Sequence, residues 1–398
     1  MASGSHTLAG SNLTLKTLME ILERKDKSYK LGTDPSKLTK VPEEKCISDG
    51  KGFASKIYSI TLKTAYSSYS VVLKFASGDH LKHTMEERNI KTKEFNDEEL
   101  VAKNKERLEM IESIHNREVD FYEFVENYIP EKLLLANYFY GVDMSKTQQG
   151  LILMEDMSGK MMKEYKLGYG LGYEQVQKII ETLVVLQSRS LLHHDELVKT
   201  FPHNLKAMNA IHQYIVYCCK VLEDRNLSWF TNEVSDKCQA NAHPSNALKL
   251  LSSNEKYGTI GAVIVHGDLW PNNMIWKDDD GTPDLLAIVD WQNAHAGNYT
   301  ADIAAVLAVS VDCKARRECE EKLIMSFTTQ MNKHLQNYGL EQRLDYITVL
   351  ASYKNSLNYA ILQMIMTVVT NPSEDIPADG EIEGPLTKRL RGLVEDMF

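Results

Sequence analysis

An aspartate, an asparagine five residues on and a second aspartate closing an apolar run form the most chemically pointed pattern in this chain. They are Asp268 and Asn273 in the stretch Val265 to Asn273 (VHGDLWPNN), and Asp290 in Ile288 to Trp291 (IVDW). A carboxylate such as Asp268 can take the proton of a hydroxyl. An amide oxygen and a second carboxylate are hard ligands suited to Mg2+, which keeps waters and shares its shell with phosphates. Together they are the groups needed to move a phosphoryl group from Mg·ATP to a hydroxyl. Taken singly, Asp and Asn also make ordinary turns; it is the three at these intervals, each beside an apolar run, that carries the chemistry.

Spacing gives the elements that must hold these groups. Met274 to Lys277 and Leu285 to Val289 read as strands separated by the turn signal DDDGTPD. Paired as a hairpin with its midpoint between Gly281 and Thr282, they bring Asn273 and Asp290 to one open end. Asp268 lies on the loop just before, after the apolar strand Ala262 to Val265.

This segment resembles the catalytic and metal-binding loops of the aminoglycoside phosphotransferase and choline kinase superfamily. Within it the chain is most similar to the ecdysteroid-kinase-like (CHK kinase-like) family, in its nematode-type branch. The family pattern of His-Gly-Asp-Leu-Trp, then Asn-Asn, then Asp-Trp or Asp-Phe stands here in full. The resemblance implies Asp268 as catalytic base and Asn273 and Asp290 as Mg2+ ligands. Gly297 with Asp302-Ile303-Ala304 looks like a further family element, whose Asp braces the catalytic loop; an acid at this position also reads as an ordinary helix start.

A kinase reading makes demands on the first half of the chain. A phosphate-covering loop is met by Asp49 to Ser55 (DGKGFAS), where Gly50 and Gly52 let backbone N–H groups approach phosphate oxygens. Two glycines before the alternating run Ile57 to Leu62 are equally a hairpin turn, but Gly50, Gly52, Phe53 and Ser55 match the family's loop. A strand lysine is met by Lys74 in VVLKF, either aimed at phosphates or on an edge strand reaching water. A helix glutamate to hold it is met by Glu118, on the apolar face of an amphipathic helix Ile114 to Ile129 with Ile114, Tyr122 and Val125. Glu118 could also be solvated at that stripe's rim; the family has a Glu followed closely by Phe-Tyr here. By the same resemblance Gly150 to Met157 is the hinge, with backbone groups near Glu155 and Met157 meeting adenine.

The expected fold is α+β and bilobal, protein-kinase-like: a small strand-rich N-terminal lobe, 1–154, and a larger, mostly helical C-terminal lobe, 155–398, with ligands in a cleft at their junction. Lys82 to Glu112, dense in Lys, Glu and Arg, reads as an insertion, a solvated helix or a mobile loop. Expected helices are Tyr173 to Leu192, Asn204 to Glu223, Ile303 to Val311, Arg316 to Tyr338 and Leu344 to Val369. Pro372 to Pro385 reads as a loop before a closing helix, and the first seven residues as a flexible tail.

Composition agrees. The 398 residues suffice for two lobes, and 43% hydrophobic with 25% charged residues is ordinary for a globular protein. A net charge of −10 without a basic patch argues against a nucleic-acid partner. Six cysteines without metal spacing read as reduced thiols. No signal peptide and no apolar stretch of membrane-spanning length is evident, so no membrane insertion and a cytoplasmic location are expected.

The acceptor is a small-molecule hydroxyl, which the resemblance suggests is steroid-like, xenobiotic, glycosylated or an amino alcohol. Its contacts are sought in Leu191 to Ile260, with Tyr214, Tyr217, Trp229 and Phe230, and around Trp291 and Tyr299. An inactive kinase-like binding protein is the alternative, disfavoured because Lys74, Glu118, Asp268, Asn273 and Asp290 are all present. A protein kinase is disfavoured by Gly267 before Asp268, by Trp291-Gln292 after Asp290 and by the lack of an Ala-Pro-Glu segment.

Overall fold

The computed structural model describes residues 3–48, 55–77, 97–147, 149–160, 167–252, 260–279, 282–377 and 382–398. Gly50, Gly52 and Phe53 of the expected phosphate-covering loop, and 82–96 of the charged insertion, lie outside the described residues. Contacts divide the chain into two compact units, 1–123 with 136–160, and 124–135 with 161–398.

The first unit is built on one antiparallel sheet. Its strands are β1 (Glu43–Cys46), β2 (Lys56–Lys63), β3 (Ser68–Ser77), β4 (Tyr138–Val142) and β5 (Gln149–Glu155), in the order β1-β2-β3-β5-β4. Side chains alternate between the two faces of a strand. Val71, Leu73 and Phe75 of β3, with Ile60, Leu62, Leu151 and Leu153, therefore share one face, and they pack with helix α1 (Leu15–Lys25) through Leu15, Leu18, Met19 and Leu22. Fully burying side chains of this kind contributes about 1.5–3 kcal/mol each. Thr14 caps α1 by accepting the Thr17 N–H. Of the first seven residues, expected as a flexible tail, Gly4 and His6 accept the Lys16 and Leu15 N–H groups and Thr7 bridges Thr14, which corrects that expectation for this stretch; Leu8, just beyond, is fully buried in the same core.

Alternation sends Lys74 to the other face. There Ala76 packs with Ile111 and Ile114 of helix α2 (Asp97–Tyr128), a helix that begins well before Ile114 and absorbs the end of the charged segment. Lys74 pairs in register with Ile57 on one side and Ile152 on the other, so it stands on the central strand and not on an edge.

The second unit is mostly helical: α3 (Tyr173–Ser190), α4 (His194–Thr200), α5 (Leu205–Asp224), α6 (Asn232–Ala242), α7 (Pro244–Leu251), α8 (Ala301–Ser310), α9 (Cys313–Asn337), α10 (Tyr346–Thr370) and α11 (Pro385–Met397). α8 is buried on all sides from Asp302 to Ser310, as its sequence ADIAAVLAVS requires, and packs along α10. Among the described residues, two strand pairs interrupt the helices. β6 (Val263–Val265) pairs with β9 (His295–Gly297), and β7 (Met274–Asp279) with β8 (Thr282–Ile288). The class is α+β, with a strand-rich first unit and a mostly helical second. Among the described residues, no helix is long and apolar enough to cross a membrane.

The hairpin register differs from the symmetric expectation. Met274 faces Ile288, and a one-residue shift falls between Ile275 and Trp276. Asn273 is therefore matched by Val289, whose N–H donates to the Asn273 carbonyl at 2.9 Å, and Asp290 stands one residue beyond.

Candidate active site

The two groups singled out in the first unit meet. Lys74 Nζ donates to Glu118 Oε2 at 2.6 Å, with Lys74 7% and Glu118 1% exposed. Strand alternation supplies the lysine and the apolar stripe of α2 the glutamate. Ser55 is buried just before β2. Glu155 closes β5 with its N–H donated to the Asn137 carbonyl, while its carboxylate accepts from the Asn137 side chain at 2.8 Å; Met157 is buried two residues on.

In the second unit, Asp268 and Asn273 meet directly. Asn273 Nδ2 donates to the Asp268 carbonyl at 2.8 Å and to Asp268 Oδ2 at 3.1 Å. Its nitrogen is thus committed to Asp268, which leaves Oδ1 as the atom suited to a hard cation. Asp290, at the hairpin's open end, adopts the left-handed conformation with φ 67°, uncommon for a residue with a Cβ and the kind of local strain that clusters at functional sites. Burial, and next the Asp290 charge, push the Asp268 carboxyl up to about 7, opposed by the Asn273 hydrogen bond. A divalent cation relieves such like-charge crowding, so these donors fit Mg2+. Among the described residues no cluster of three or more His, Cys, Asp or Glu side chains could hold a metal alone. An ion here would complete its shell with phosphate oxygens and water, the habit of Mg2+.

The loop carrying Asp268 is held from several sides. Asp302, in the first turn of α8 and 1% exposed, accepts the His266 N–H at 2.8 Å and the Gly267 N–H at 3.1 Å. Its burial pushes its pKa up to about 6, opposed by those two bonds. His266 is fully buried with its ring 4.4 Å from that of Trp291. One neutral tautomer satisfies both its nitrogens: Nε2–H donates to the Val289 carbonyl at 3.0 Å, and Nδ1 accepts the Asp268 N–H at 3.2 Å. His266 thereby ties the Asp268 loop to the strand end carrying Asp290. Gly267 has φ +81°, and a Cβ there would lie 2.6 Å from the Asn293 carbonyl oxygen, which explains why no larger residue precedes Asp268.

Beside Asp268 lies a pocket of about 100 Å³. Leu269 and Trp270 border it from the loop and Val309 from α8, while Gln363, Met366, Thr367 and Thr370 come from α10. Sequence reasoning missed the α10 residues. Their signal was a stretch without charge between Lys354 and Glu374, carrying polar residues at 363, 367 and 370 with helical spacing. The aromatic candidates do other work: Trp291 is fully buried, Tyr299 stacks on Phe327, and Trp229 Nε1 donates to Glu383. Tyr214 and Tyr217 stack on each other on α5, both exposed.

A protein from Caenorhabditis elegans, "Uncharacterized oxidoreductase dhs-27", is 24% identical over 355 residues, covering 86% of this chain; the chain spans only 41% of that relative's length. Viomycin phosphotransferase of Streptomyces vinaceus is 38% identical over 45 residues, 11% of this chain and 16% of that protein. Among solved structures, the GDP complex of an aminoglycoside 2'-phosphotransferase-IIIa variant aligns at 12% identity and a TM-score of 0.45, covering 96% of this chain and 95% of that one. The GDP and kanamycin complex of APH(2")-IIia aligns at 11% identity and 0.44, covering 95% and 97%. The DUF1679 family model, described as "Uncharacterized oxidoreductase dhs-27", matches residues 14–398, so the chain belongs to that family.

Proposed function

We propose that this chain is an ATP- and Mg2+-dependent phosphotransferase acting on a hydroxyl of a small molecule, in the ecdysteroid-kinase-like branch of the aminoglycoside phosphotransferase and choline kinase superfamily. The observation that carries the reading is the joining of Asp268, Asn273 and Asp290 around one hairpin end, with the Asp268 loop braced by Asp302 and His266. In this reading Asp268 orients the acceptor hydroxyl and takes its proton as the oxygen attacks the γ-phosphorus and the bond to the ADP oxygen breaks. Asn273 Oδ1 and the Asp290 carboxylate would hold Mg2+, which supplies charge neutralisation for the phosphates. Lys74, oriented by Glu118, pairs with phosphate oxygens. Gly50, Gly52, Phe53 and Ser55 cover them, and the backbone near Glu155 and Met157 receives the adenine. The Glu155 N–H is already committed to Asn137, which favours Met157 as donor.

The pocket beside Asp268 favours an uncharged acceptor. Among the described residues its lining has one carboxylate and otherwise apolar, amide or hydroxyl side chains, whereas a polycationic aminoglycoside calls for clustered acids and a quaternary ammonium for an aromatic box. That leaves a steroid-like, xenobiotic or glycosylated alcohol. The six free thiols support a reducing, cytoplasmic setting.

The word oxidoreductase in the family's description comes from a relative much longer than this chain. Dinucleotide-dependent oxidoreductases of the doubly wound type need a parallel sheet, and every strand pairing among the described residues is antiparallel. The similarity of a short segment to viomycin phosphotransferase supports phosphoryl transfer instead.

The test incubates a metabolite extract with MgATP and either the unaltered protein or Asp268→Asn, followed by untargeted mass spectrometry. A phosphorylated species formed by the first and lost, by about a hundredfold or more, with the second is expected. If MgATP binds and no such species forms from extracts of varied origin, the inactive binding protein is the better reading. Absence of MgATP binding refutes the nucleotide assignments.

A further inference from the structure

The pocket beside Asp268 has a wall on α10, and one residue of that wall also grips the loop. Gln363 Nε2 donates to the Gly267 carbonyl at 3.1 Å. That carbonyl and the Asp268 N–H belong to one rigid peptide plane, and the N–H is bonded to His266 Nδ1. The plane is thus held at both ends, by Gln363 on its oxygen and His266 on its nitrogen. Asp302 separately holds the Gly267 N–H just before it. Without the Gln363 bond the plane gains freedom to rotate about a glycine already at φ +81°, and the Asp268 carboxylate moves with it. Small displacements of an acid–base group are expensive in rate.

The same helix face continues along the pocket. Met366, Thr367 and Thr370 stand three, four and seven residues beyond Gln363, the spacing of one helical face. Thr367 Oγ1 donates to the Gln363 carbonyl at 2.8 Å and Thr370 Oγ1 to the Met366 carbonyl at 2.7 Å. Their hydrogens are used within the helix, so toward a ligand both hydroxyls can act only as acceptors. Resting on the phosphotransferase reading above, we propose that Gln363 is a positioning residue for Asp268 and that α10 from Gln363 to Thr370 is the wall against which the acceptor alcohol docks. An alcohol lying there would donate its hydroxyl proton toward Asp268 and, through any second hydroxyl, to Thr367 or Thr370.

The full chain is tested with MgATP and the metabolite extract as probes, reading phosphorylated product by mass spectrometry, released inorganic phosphate, and MgATP affinity by calorimetry. Gln363→Leu and Gln363→Met keep bulk and lose the donor. For both, kcat for transfer is expected to fall about tenfold or more while the Kd for MgATP stays near that of the unaltered protein. Met366→Trp fills the pocket and is expected to lower the ratio of transferred to released phosphate by about tenfold. Parallel losses of MgATP affinity and turnover in both Gln363 variants would make Gln363 a general prop and overturn the positioning role. An unchanged ratio in Met366→Trp would overturn the wall. If the unaltered chain neither transfers nor releases phosphate, the phosphotransferase reading itself falls and takes this proposal with it.

Discussion

His115 makes the first unit sensitive to acid in a way that can be calculated from its surroundings. It lies on α2 three residues before Glu118 and is 2% exposed. Its Nε2–H donates to the Val142 carbonyl at 3.0 Å, while Nδ1 is buried with no hydrogen-bond partner among the described residues. The ring lies so close over Gly150 that a Cβ there would be 2.2 Å from it. Protonation would therefore put a charge on a buried ring near Lys74. Burial, with a smaller contribution from the Lys74 charge, lowers the pKa from 6.5 to about 4, against the opposing pull of the Val142 bond. The gap between those values, at about 1.4 kcal/mol per pH unit, is worth roughly 3 kcal/mol. The unfolded chain takes up this proton below 6.5 and the folded chain only near 4. The stabilisation is thus complete above pH 6.5 and is lost as the pH falls through that window. Tryptophan fluorescence would miss the effect, because Trp229, Trp270, Trp276 and Trp291 all lie in the other unit. Amide hydrogen exchange of peptides from 108–123 and 149–155, corrected for intrinsic rates, reads the right region. Between pH 7.5 and 4.5 the unaltered protein should lose roughly 2–3 kcal/mol more local stability than His115→Leu, the carboxylates shared by both cancelling. Equal losses in the two proteins would refute the reasoning.

Three further perturbations follow from the same contacts. Lys74→Met removes the Lys74 cation from the buried Glu118 carboxylate and should cost about 3–5 kcal/mol of local stability by amide exchange, most of it recovered when Glu118→Leu is added; a cost below about 1 kcal/mol would show that the pair is not coupled. Gly267→Ala forces a Cβ toward the Asn293 oxygen in a left-handed backbone, so a loss of about 1–3 kcal/mol should appear as a lower fluorescence-detected melting midpoint, along with loss of product formation; an unchanged midpoint counts against the packing described. Asp302→Asn can accept only one of the two N–H groups that its carboxylate now serves and should cost about 1–3 kcal/mol in urea unfolding followed by fluorescence, an effect absent if the bracing is incidental.

Local pattern carried much of this protein. Runs such as VVLKF and GLILME alternate or bury as strands must, and the helical periods of Tyr173–Ser190 and Tyr346–Thr370 are within two residues of the expected bounds. The meeting of Lys74 and Glu118 was legible for the same reason: a polar residue on an apolar face calls for a partner. The short helices α4, α6 and α7 were not legible, because a seven- to eleven-residue segment offers too few turns for a period to stand out. The hairpin's one-residue shift escaped as well, since a bulge leaves no mark in the hydrophobic pattern.

The residue types and spacing that make Asp268, Asn273, Asp290 and Asp302 candidates were legible in the sequence alone, because residue chemistry and short-range spacing are properties of the chain itself. That Gln363 reaches the Gly267 carbonyl, that His266 links the two loops, that Leu8 enters the sheet core and that α10 lines the pocket were decided only in three dimensions. Each depends on which surfaces pack together across tens to hundreds of residues, and the buried area and hydrogen-bond satisfaction that choose among such packings belong to the folded whole.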